Sequence, residues 1–298
     1  MKVLVQLAGR LSWLTIVLLG ACSSPAETHS KLTVLASIRP LALMIEQMAG
    51  DVVDVQTLLP PNADPHNMAL RISDRQRVEA AELVVWLGPD FERFLSGALK
   101  SRAAQAQLNL SALDGLHWPA SSHDHYTESH GRDMHLWLDP DNAAVVMRAV
   151  QTRLLQLRPD LSDALEQGLQ RALAKLKATQ QRVQQQLQPH TSQGFGVDHD
   201  AYGHFVHAFD LHQLAAVSEV SGQSMSAKQR YQLRQQLEGA QCLLVERITP
   251  VNERLAKAFN LPIVVADALA GDQQLKDYSQ FLDQLAQAFA QCLSGPAQ

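Results

Sequence analysis

The sequence predicts an α/β protein in which two similar βα lobes are joined by one long rigid helix. Short apolar segments alternate with amphipathic segments on both sides of residue 160, a rhythm typical of parallel sheets covered by helices. Between the two rhythms, leucines recur at spacings near 3.6 from Asp160 to Leu187. At 1.5 Å per residue this predicts a helix about 42 Å long. In a two-lobed protein of this kind, the ligand site is expected in the cleft between the lobes.

The first half contains four apolar segments that we interpret as strands. The uninterrupted run at 83–87 is typical of a strand buried on both faces, and Gly88-Pro89 ends it. Ser73 can cap a short helix, and Asp139-Pro140 is a helix start signal. The predicted strands are 32–36, 52–59, 83–87 and 134–138, and the predicted helices are 39–48, 73–81, 90–99 and one that begins at 140. No clear periodicity is present in 108–133.

The second half repeats the rhythm after Pro189 ends the long helix. The predicted strands are 194–197, 215–217, 242–245 and 263–266, and the predicted helices are 202–209, 226–237, 251–259 and 275–292. We therefore divide the folded chain into an N-terminal lobe (32–158), a linking helix (159–189) and a C-terminal lobe (190–298).

The N-terminus has the features of an export signal. Lys2 and Arg10 precede a short apolar stretch that cannot span a bilayer, so residues 1–21 are predicted to be a signal peptide. Small residues before Cys22 resemble a bacterial lipobox, which would make this cysteine the lipid-modified N-terminus; ordinary cleavage without a lipid is the alternative. Residues 22–31 are small and polar and are predicted to form a tether. We expect a periplasmic or extracytoplasmic protein.

The composition excludes wholesale disorder and argues against one class of function. Of the 298 residues, 46% are hydrophobic, which excludes wholesale disorder. A formal net charge of −5 argues against nucleic-acid binding, since such proteins are typically basic. No further apolar run reaches 18 residues, so contact with the membrane is expected only through a lipid anchor. We expect a monomer.

Two cysteines remain when Cys22 is set aside. Cys242 and Cys292 form an even pair, and an exported protein meets an oxidising compartment. A disulfide between them would close a loop of about 50 residues and stabilise the fold by roughly 4 kcal/mol in the chain-entropy model. Two buried free thiols are the less favoured alternative.

The chain has 12 histidines, and three of them lie at or beside predicted strand ends. His66 follows 52–59, His135 lies in 134–138, and His199 follows 194–197. Asp267 follows 263–266 in the same manner. Two of these residues come from each half, so they can converge in one cleft, where three imidazoles and a carboxylate suit Zn²⁺. Each residue alone also fits a structural role, such as a hydrogen-bonded histidine or a helix cap.

Four motifs resemble the zinc-uptake solute-binding proteins of bacterial ABC transporters, the cluster that binds zinc or manganese. They are LLPPNADPH at 58–66, MHLWLDP at 134–140, HDAYG at 199–203 and DAL at 267–269. The resemblance covers about residues 32–293, including the linking helix. It implies metal ligation by His66, His135, His199 and Asp267, with water in place of the last in some members, and a partner permease in the inner membrane. It also implies a disulfide at the positions of Cys242 and Cys292.

The third ligand favours zinc as the metal. Manganese members of this family generally carry Glu there, whereas this chain has His199, and imidazole suits zinc better than it suits hard cations. Zinc members often have a His-rich loop between the first two ligands. Its counterpart here is short and contains His117, His123, His125 and His130, which either collect zinc weakly or bind nothing. The chain departs from the family at Asn67, Ile72 and ERIT (246–249), where Glu-Pro is usual.

Three alternatives to a zinc receptor remain open at this point. A manganese receptor of the same family is one. A zinc-dependent hydrolase is another, although no HExxH, GxSxG or phosphate-binding loop occurs. A surface protein with structural zinc is the third. We predict that the chain is not an enzyme.

His204 and His207 lie three residues apart on a predicted helix, so they share a face. A second metal site there is one interpretation. We favour the other, that both are ordinary surface residues.

Overall fold

The computed structural model describes residues 31–61, 63, 65, 68–119, 132–217 and 226–295. The predictions for the signal peptide, for Cys22 and for the tether up to residue 30 therefore lie outside the described residues. Within the described ranges, no helix is both long enough and apolar enough to cross a membrane.

The first half forms a four-stranded parallel sheet with the strand order β2-β1-β3-β4. Its third strand is short and fully buried, as its apolar sequence predicts. The elements are β1 (Leu32–Ala36), α1 (Arg39–Ala49), β2 (Val53–Thr57), α2 (Ile72–Ala80), β3 (Leu83–Trp86), α3 (Arg93–Leu99), β4 (Gln107–Asn109) and α4 (Pro140–Leu157). Strand β4 was not predicted, because three residues are too few to show a period.

The second half forms another four-stranded parallel sheet, with the order β6-β5-β7-β8. The elements are α5 (Ser162–Leu187), β5 (Gly194–Val197), α6 (Gly203–Ala208), β6 (His212–Ala216), α7 (Ala227–Gln236), β7 (Ala240–Val245), α8 (Pro250–Phe259), β8 (Ile263–Val265) and α9 (Tyr278–Leu293). Two parallel α/β sheets and a long helix between them confirm the predicted fold class.

Helix α5 packs against α1 and α4 of the first half and against α9 of the second. Its buried face carries the predicted periodic residues, among them Leu165, Leu169 and Leu176. Gly168 permits the approach to α1, because a Cβ there would lie 2.1 Å from the carbonyl oxygen of Met48. The helix thus fixes both halves through one continuous apolar core.

A disulfide joins Cys242 on β7 to Cys292 on α9, which confirms the predicted bridge. Both cysteines are buried in the main core. A smaller core lies between β6, β7, α7 and α8 and is formed by residues such as Leu233, Leu243 and Leu255. The bridge therefore ties the last helix to the central part of the second sheet.

The strand predicted at 134–138 is wrong. Residues Leu136–Leu138 form one turn of 3₁₀ helix directly before α4. The side chain of Asp133 accepts a hydrogen bond from the backbone N–H of His135, and the N–H of Leu138 donates to the carbonyl of His135. These local bonds satisfy the backbone without a strand partner, although the apolar side chains are buried as they would be in a strand.

In each sheet, the carboxyl ends of the strands mark the edge where a ligand is expected. All strands in each sheet are parallel, so their carboxyl ends lie at one edge. The connections leave in opposite directions on either side of the β1–β3 pair and of the β5–β7 pair. Ligands of open α/β sheets bind in the crevice at such switch points.

Glu92 is a buried acid in the loop that follows β3. Its Oε2 accepts hydrogen bonds from the backbone N–H groups of Leu87 at 2.7 Å and Gly88 at 3.4 Å. Burial raises the pKa of Glu92 to about 7, although the surrounding donors act in the opposite direction. The folded protein therefore keeps this proton at pH values where the unfolded chain has released it.

This difference makes stability depend on pH. Because the folded-state pKa lies above the unfolded value of 4.5, the contribution of Glu92 to stability falls between about pH 4.5 and 7. The side chain of Gln has no proton to lose in this range. We therefore expect the free energy of unfolding of Glu92→Gln, relative to that of the parent, to rise by up to about 3 kcal/mol from pH 5 to pH 8. Urea denaturation in EDTA measures this, with the exposed Glu79→Gln as control. Parallel pH curves for the two variants would contradict the assignment.

Candidate metal centre

His135 is held by the turn before α4. Its ring Nδ1 lies 2.7 Å from Oδ1 of Asp133, and its residue surface is only 7% exposed. Burial acts to raise the pKa of Asp133, but the hydrogen bond and charge of His135 outweigh it and lower that pKa. An ionised Asp133 fixes the proton on Nδ1, which leaves Nε2 as the metal-binding nitrogen of the ring.

His199 follows β5 and faces His135. The two ring centroids lie 5.3 Å apart, with the ring planes at 80°. The Nδ1 of His199 lies 3.6 Å from Oε1 of Glu246, which follows the neighbouring strand β7. These two residues thus occupy the switch point of the second sheet.

Glu246 and His199 shift each other's titration. Burial acts to lower the pKa of His199, but the adjacent carboxylate of Glu246 outweighs it, so that pKa is raised. Burial likewise acts to raise the pKa of Glu246, yet His199 lowers it. Each imidazole of this pair of ligand candidates therefore has a carboxylate on its Nδ1 side.

Asp267 follows β8 at the carboxyl edge of the second sheet. Its two oxygens accept hydrogen bonds from the backbone N–H groups of Leu269 at 2.9 Å and Gly271 at 2.6 Å. Burial raises the pKa of Asp267, and these two donors oppose the increase. The loop thus fixes the orientation of the carboxylate.

The structure brings His135 and His199 together but does not test the predicted ligand set. His66 lies outside the described residues, as do His123, His125 and His130 of the His-rich loop. Within the described part of the chain, no group of three His, Cys, Asp or Glu side chains is close enough to hold a metal ion. The four-residue ligand set therefore stays a prediction.

Two buried hydrogen bonds connect segments that carry ligand candidates, and a third ties one of these segments to α9. The indole Nε1 of Trp137 donates to the carbonyl of Ala268 at 2.8 Å, which links the His135 turn to the residue after Asp267. The Tyr202 hydroxyl, three residues after His199, donates to the carbonyl of Ala266. The Tyr278 hydroxyl donates to the carbonyl of Trp137. All three donor side chains are fully buried, so the bonds are shielded from water.

The interpretation of His204 as a surface residue is wrong. Its ring is fully buried, and burial lowers its pKa. The side-chain amide of Asn142 donates to its Nδ1 at 3.3 Å, so Nε2 carries the proton and donates to the carbonyl of Asp133 at 2.9 Å. His204 therefore supports the His135 turn from the opposite lobe. The ring centroid of His207 lies 4.3 Å from the ring centroid of His117.

Sequence reasoning missed Asp133 and Glu246 as functional candidates. Glu246 directly follows an apolar strand, as His199 does, so the strand-end rule that found His199 could have found it too. Asp133 lies two residues before His135, which is the spacing of a side chain that accepts from a backbone N–H two residues later.

Comparison with known proteins shows the family of this chain. A family model described as zinc-uptake complex component A, periplasmic, matches residues 34–292. The chain belongs to this family. The resemblance inferred from the four motifs is thereby confirmed, and the family is one of transport components rather than of enzymes.

Individual relatives cover nearly the whole chain. The high-affinity zinc uptake system protein ZnuA of Yersinia pestis is 35% identical over 288 residues, which are 87% of this chain and 91% of the relative. A crystal structure of a ZnuA deletion mutant with zinc bound has a TM-score of 0.75 at 26% identity and covers 90% of this chain and 100% of that one. The periplasmic zinc binding protein TroA from Treponema pallidum shares the fold, with a TM-score of 0.73 at 21% identity over 89% of this chain and 99% of its own.

The hydrogen bond from Trp137 to Ala268 can be tested against a second buried tryptophan. Trp86 is 6% exposed, and its Nε1 has no hydrogen-bond partner among the described residues. Both Trp→Phe changes remove an indole, but only Trp137→Phe strips a buried carbonyl of its donor. We expect Trp137→Phe to lower the free energy of unfolding by about 1–3 kcal/mol more than Trp86→Phe does. Equal losses in urea denaturation would mean that the bond contributes nothing measurable.

Proposed function

We propose that this protein captures Zn²⁺ between its lobes with His66, His135, His199 and Asp267 and delivers it to an ABC permease. The protein is an extracytoplasmic zinc-binding receptor of an ABC uptake system, as its family and its ZnuA relatives are. The ligand set is our assignment. The observation that carries it is the pair of imidazoles from opposite lobes, 5.3 Å apart, each with a carboxylate on its Nδ1 side.

The donor set favours zinc over manganese. Three imidazoles and one carboxylate match the tetrahedral nitrogen and oxygen ligation that Zn²⁺ prefers, whereas Mn²⁺ prefers more oxygen donors. Carboxylates behind the imidazoles fix the ring orientation and make the rings more basic ligands. Asp267, as the fourth ligand, closes the coordination shell, whereas a zinc hydrolase keeps one position for water. This arrangement supports binding and transport instead of turnover.

The remaining parts of the proposal concern organisation and anchoring. We assign residues 32–158 and 190–298 to the two lobes and 159–189 to the linking helix. Helix α5 contacts elements of both lobes, which supports a hinge of limited range. We also propose that Cys22 carries a lipid that holds the monomeric receptor at the membrane beside its permease.

The proposed ligands can be removed one at a time. We expect His66→Ala, His135→Ala and His199→Ala each to weaken zinc binding well over tenfold, because each variant lacks one of the proposed bonds between an imidazole nitrogen and the zinc ion. The exposed His212→Ala on β6 serves as the control and should bind zinc as the parent does. Competition with a chromogenic chelator measures the affinities. A variant with unchanged affinity would take that histidine out of the ligand set.

The carboxylate behind His135 has its own test. Asp133→Asn keeps the size and the acceptor for the backbone N–H of His135 but loses the charge that holds the ring proton. We expect zinc affinity to fall about 10- to 100-fold. Asp200→Asn removes an exposed charge beside His199 and is the control for long-range electrostatics. The ¹⁵N shifts of the His135 ring should also show mixed tautomers in Asp133→Asn only. Equal affinities of the two variants would contradict a positioning role.

A further inference from the structure

A second feature of the cleft lies beside the metal centre. A cavity of about 330 Å³ opens between residues 57–61, at and after the end of β2, and residues of the segment 269–273, which follows β8. Both lobes therefore contribute to its walls. Gly271 lines the cavity and also donates its N–H to Asp267, so the cavity adjoins the loop of a proposed zinc ligand.

The charge of this cavity is opposite to what a cation receptor needs. Three arginines line it: Arg39 at the start of α1, Arg71 just before α2, and Arg77 within α2. None of the ion pairs between described residues includes them. Asp74 is the one acidic residue among the described residues of the wall, and it accepts from the backbone N–H of Arg71 at 3.0 Å. The described part of the wall is thus net positive, in a protein whose formal net charge is −5.

The arginines differ in how firmly they are held. Arg77 donates to the carbonyls of Thr57 and Leu58, and one terminal nitrogen of Arg39 donates to the carbonyl of Leu275 at 2.9 Å. The Nε of Arg39 is buried and has no hydrogen-bond partner among the described residues. Arg71 is exposed. A buried donor without a partner is costly, and an anion in the cavity could accept from it.

Most of the other described residues that line the cavity are apolar, although Thr57 and Gln273 also contribute. The apolar side chains come from both lobes, among them Ile38, Leu58, Leu59, Pro61, Met68 and Leu269. Such walls suit a hydrocarbon backbone better than a bare inorganic anion, and the volume lies at the lower end of small-molecule sites. The guanidinium fork matches a carboxylate with two parallel hydrogen bonds. The combination is that of a site for an organic acid.

We propose that this cavity binds a small organic anion with two or more carboxylates on an aliphatic backbone. The proposal goes beyond zinc capture, because the residues that hold the anion are separate from the zinc ligands. The anion occupies the cleft next to the metal centre and neutralises the arginine charge there. It also touches both lobes, at 57–61 and at 269–273.

Calorimetric titration of the metal-free protein with tricarballylate tests the proposal, because this tricarboxylate has an aliphatic backbone. We expect saturable 1:1 binding, weakened about tenfold or more in Arg71→Gln and in Arg39→Gln. Arg75→Gln is the matched control, since Arg75 is exposed near the start of α2 but is not part of the cavity wall. It should bind as the parent does. Arg71 is exposed, so we expect Arg71→Gln to fold, and a circular dichroism spectrum equal to that of the parent checks this.

Three results would overturn the proposal. They are no saturable binding up to about 10 mM, equal weakening in Arg75→Gln and Arg71→Gln, and binding of acetate or inorganic phosphate as tight as that of tricarballylate. The zinc proposal is tested separately on the same proteins. His199→Ala should lose zinc binding but keep tricarballylate binding, whereas Arg71→Gln should show the reverse. Failure of one site is therefore distinguishable from failure of the other.

Discussion

The geometry of the candidate metal centre depends on the buried hydrogen bond from Trp137 to the carbonyl of Ala268. The donor lies two residues after His135, and the acceptor lies one residue after Asp267, so the bond sets the distance between ligand candidates of opposite lobes. Tyr278 holds the carbonyl of Trp137 from the first turn of α9. Because α9 is also joined to β7 by the disulfide, the position of this turn is fixed by the core of the second lobe. The local geometry of the site is thus a consequence of how the two halves pack.

This arrangement explains why the loops can be irregular and still place ligands. The backbone around His135 is a single 3₁₀ turn, which has little stability of its own. The side chain of Asp133, just before the turn, accepts from the N–H of His135, and His204 of the other lobe donates to the carbonyl of Asp133. Both bonds hold the turn in place. Gly203 leaves the room for this contact, since a Cβ there would lie 2.8 Å from Oδ2 of Asp133. Ligand placement therefore uses side chains from both halves, not only the strand ends.

Periodic apolar residues and the number of cysteines predicted several features of the structure correctly. Helix α5 and the strand at 83–86 follow from period and burial, and the disulfide follows from cysteine parity in an exported chain. The turn at Leu136–Leu138 was predicted as a strand, because its apolar side chains are buried for tertiary reasons that no period reveals. The buried state of His204 was missed for the same reason, since its partners Asn142 and Asp133 are distant in sequence. Periodicity reports local geometry, whereas the partners of a polar side chain depend on the fold.

The charges of the centre give the capture of a dication a physical basis. Asp133 and Glu246 place a carboxylate beside each of the two imidazoles. Burial raises the pKa of Asp267, and the charge of Glu246 adds to this increase. Burial opposes the ionisation of these acids, and in Asp133 and Glu246 the adjacent imidazoles outweigh this effect. A Zn²⁺ ion at the proposed ligands would bring positive charge next to all three acids and would favour their ionised forms. The affinity of such a site then arises from the acids behind the ligands as well as from the ligands, and this contribution weakens when a carboxylate becomes protonated.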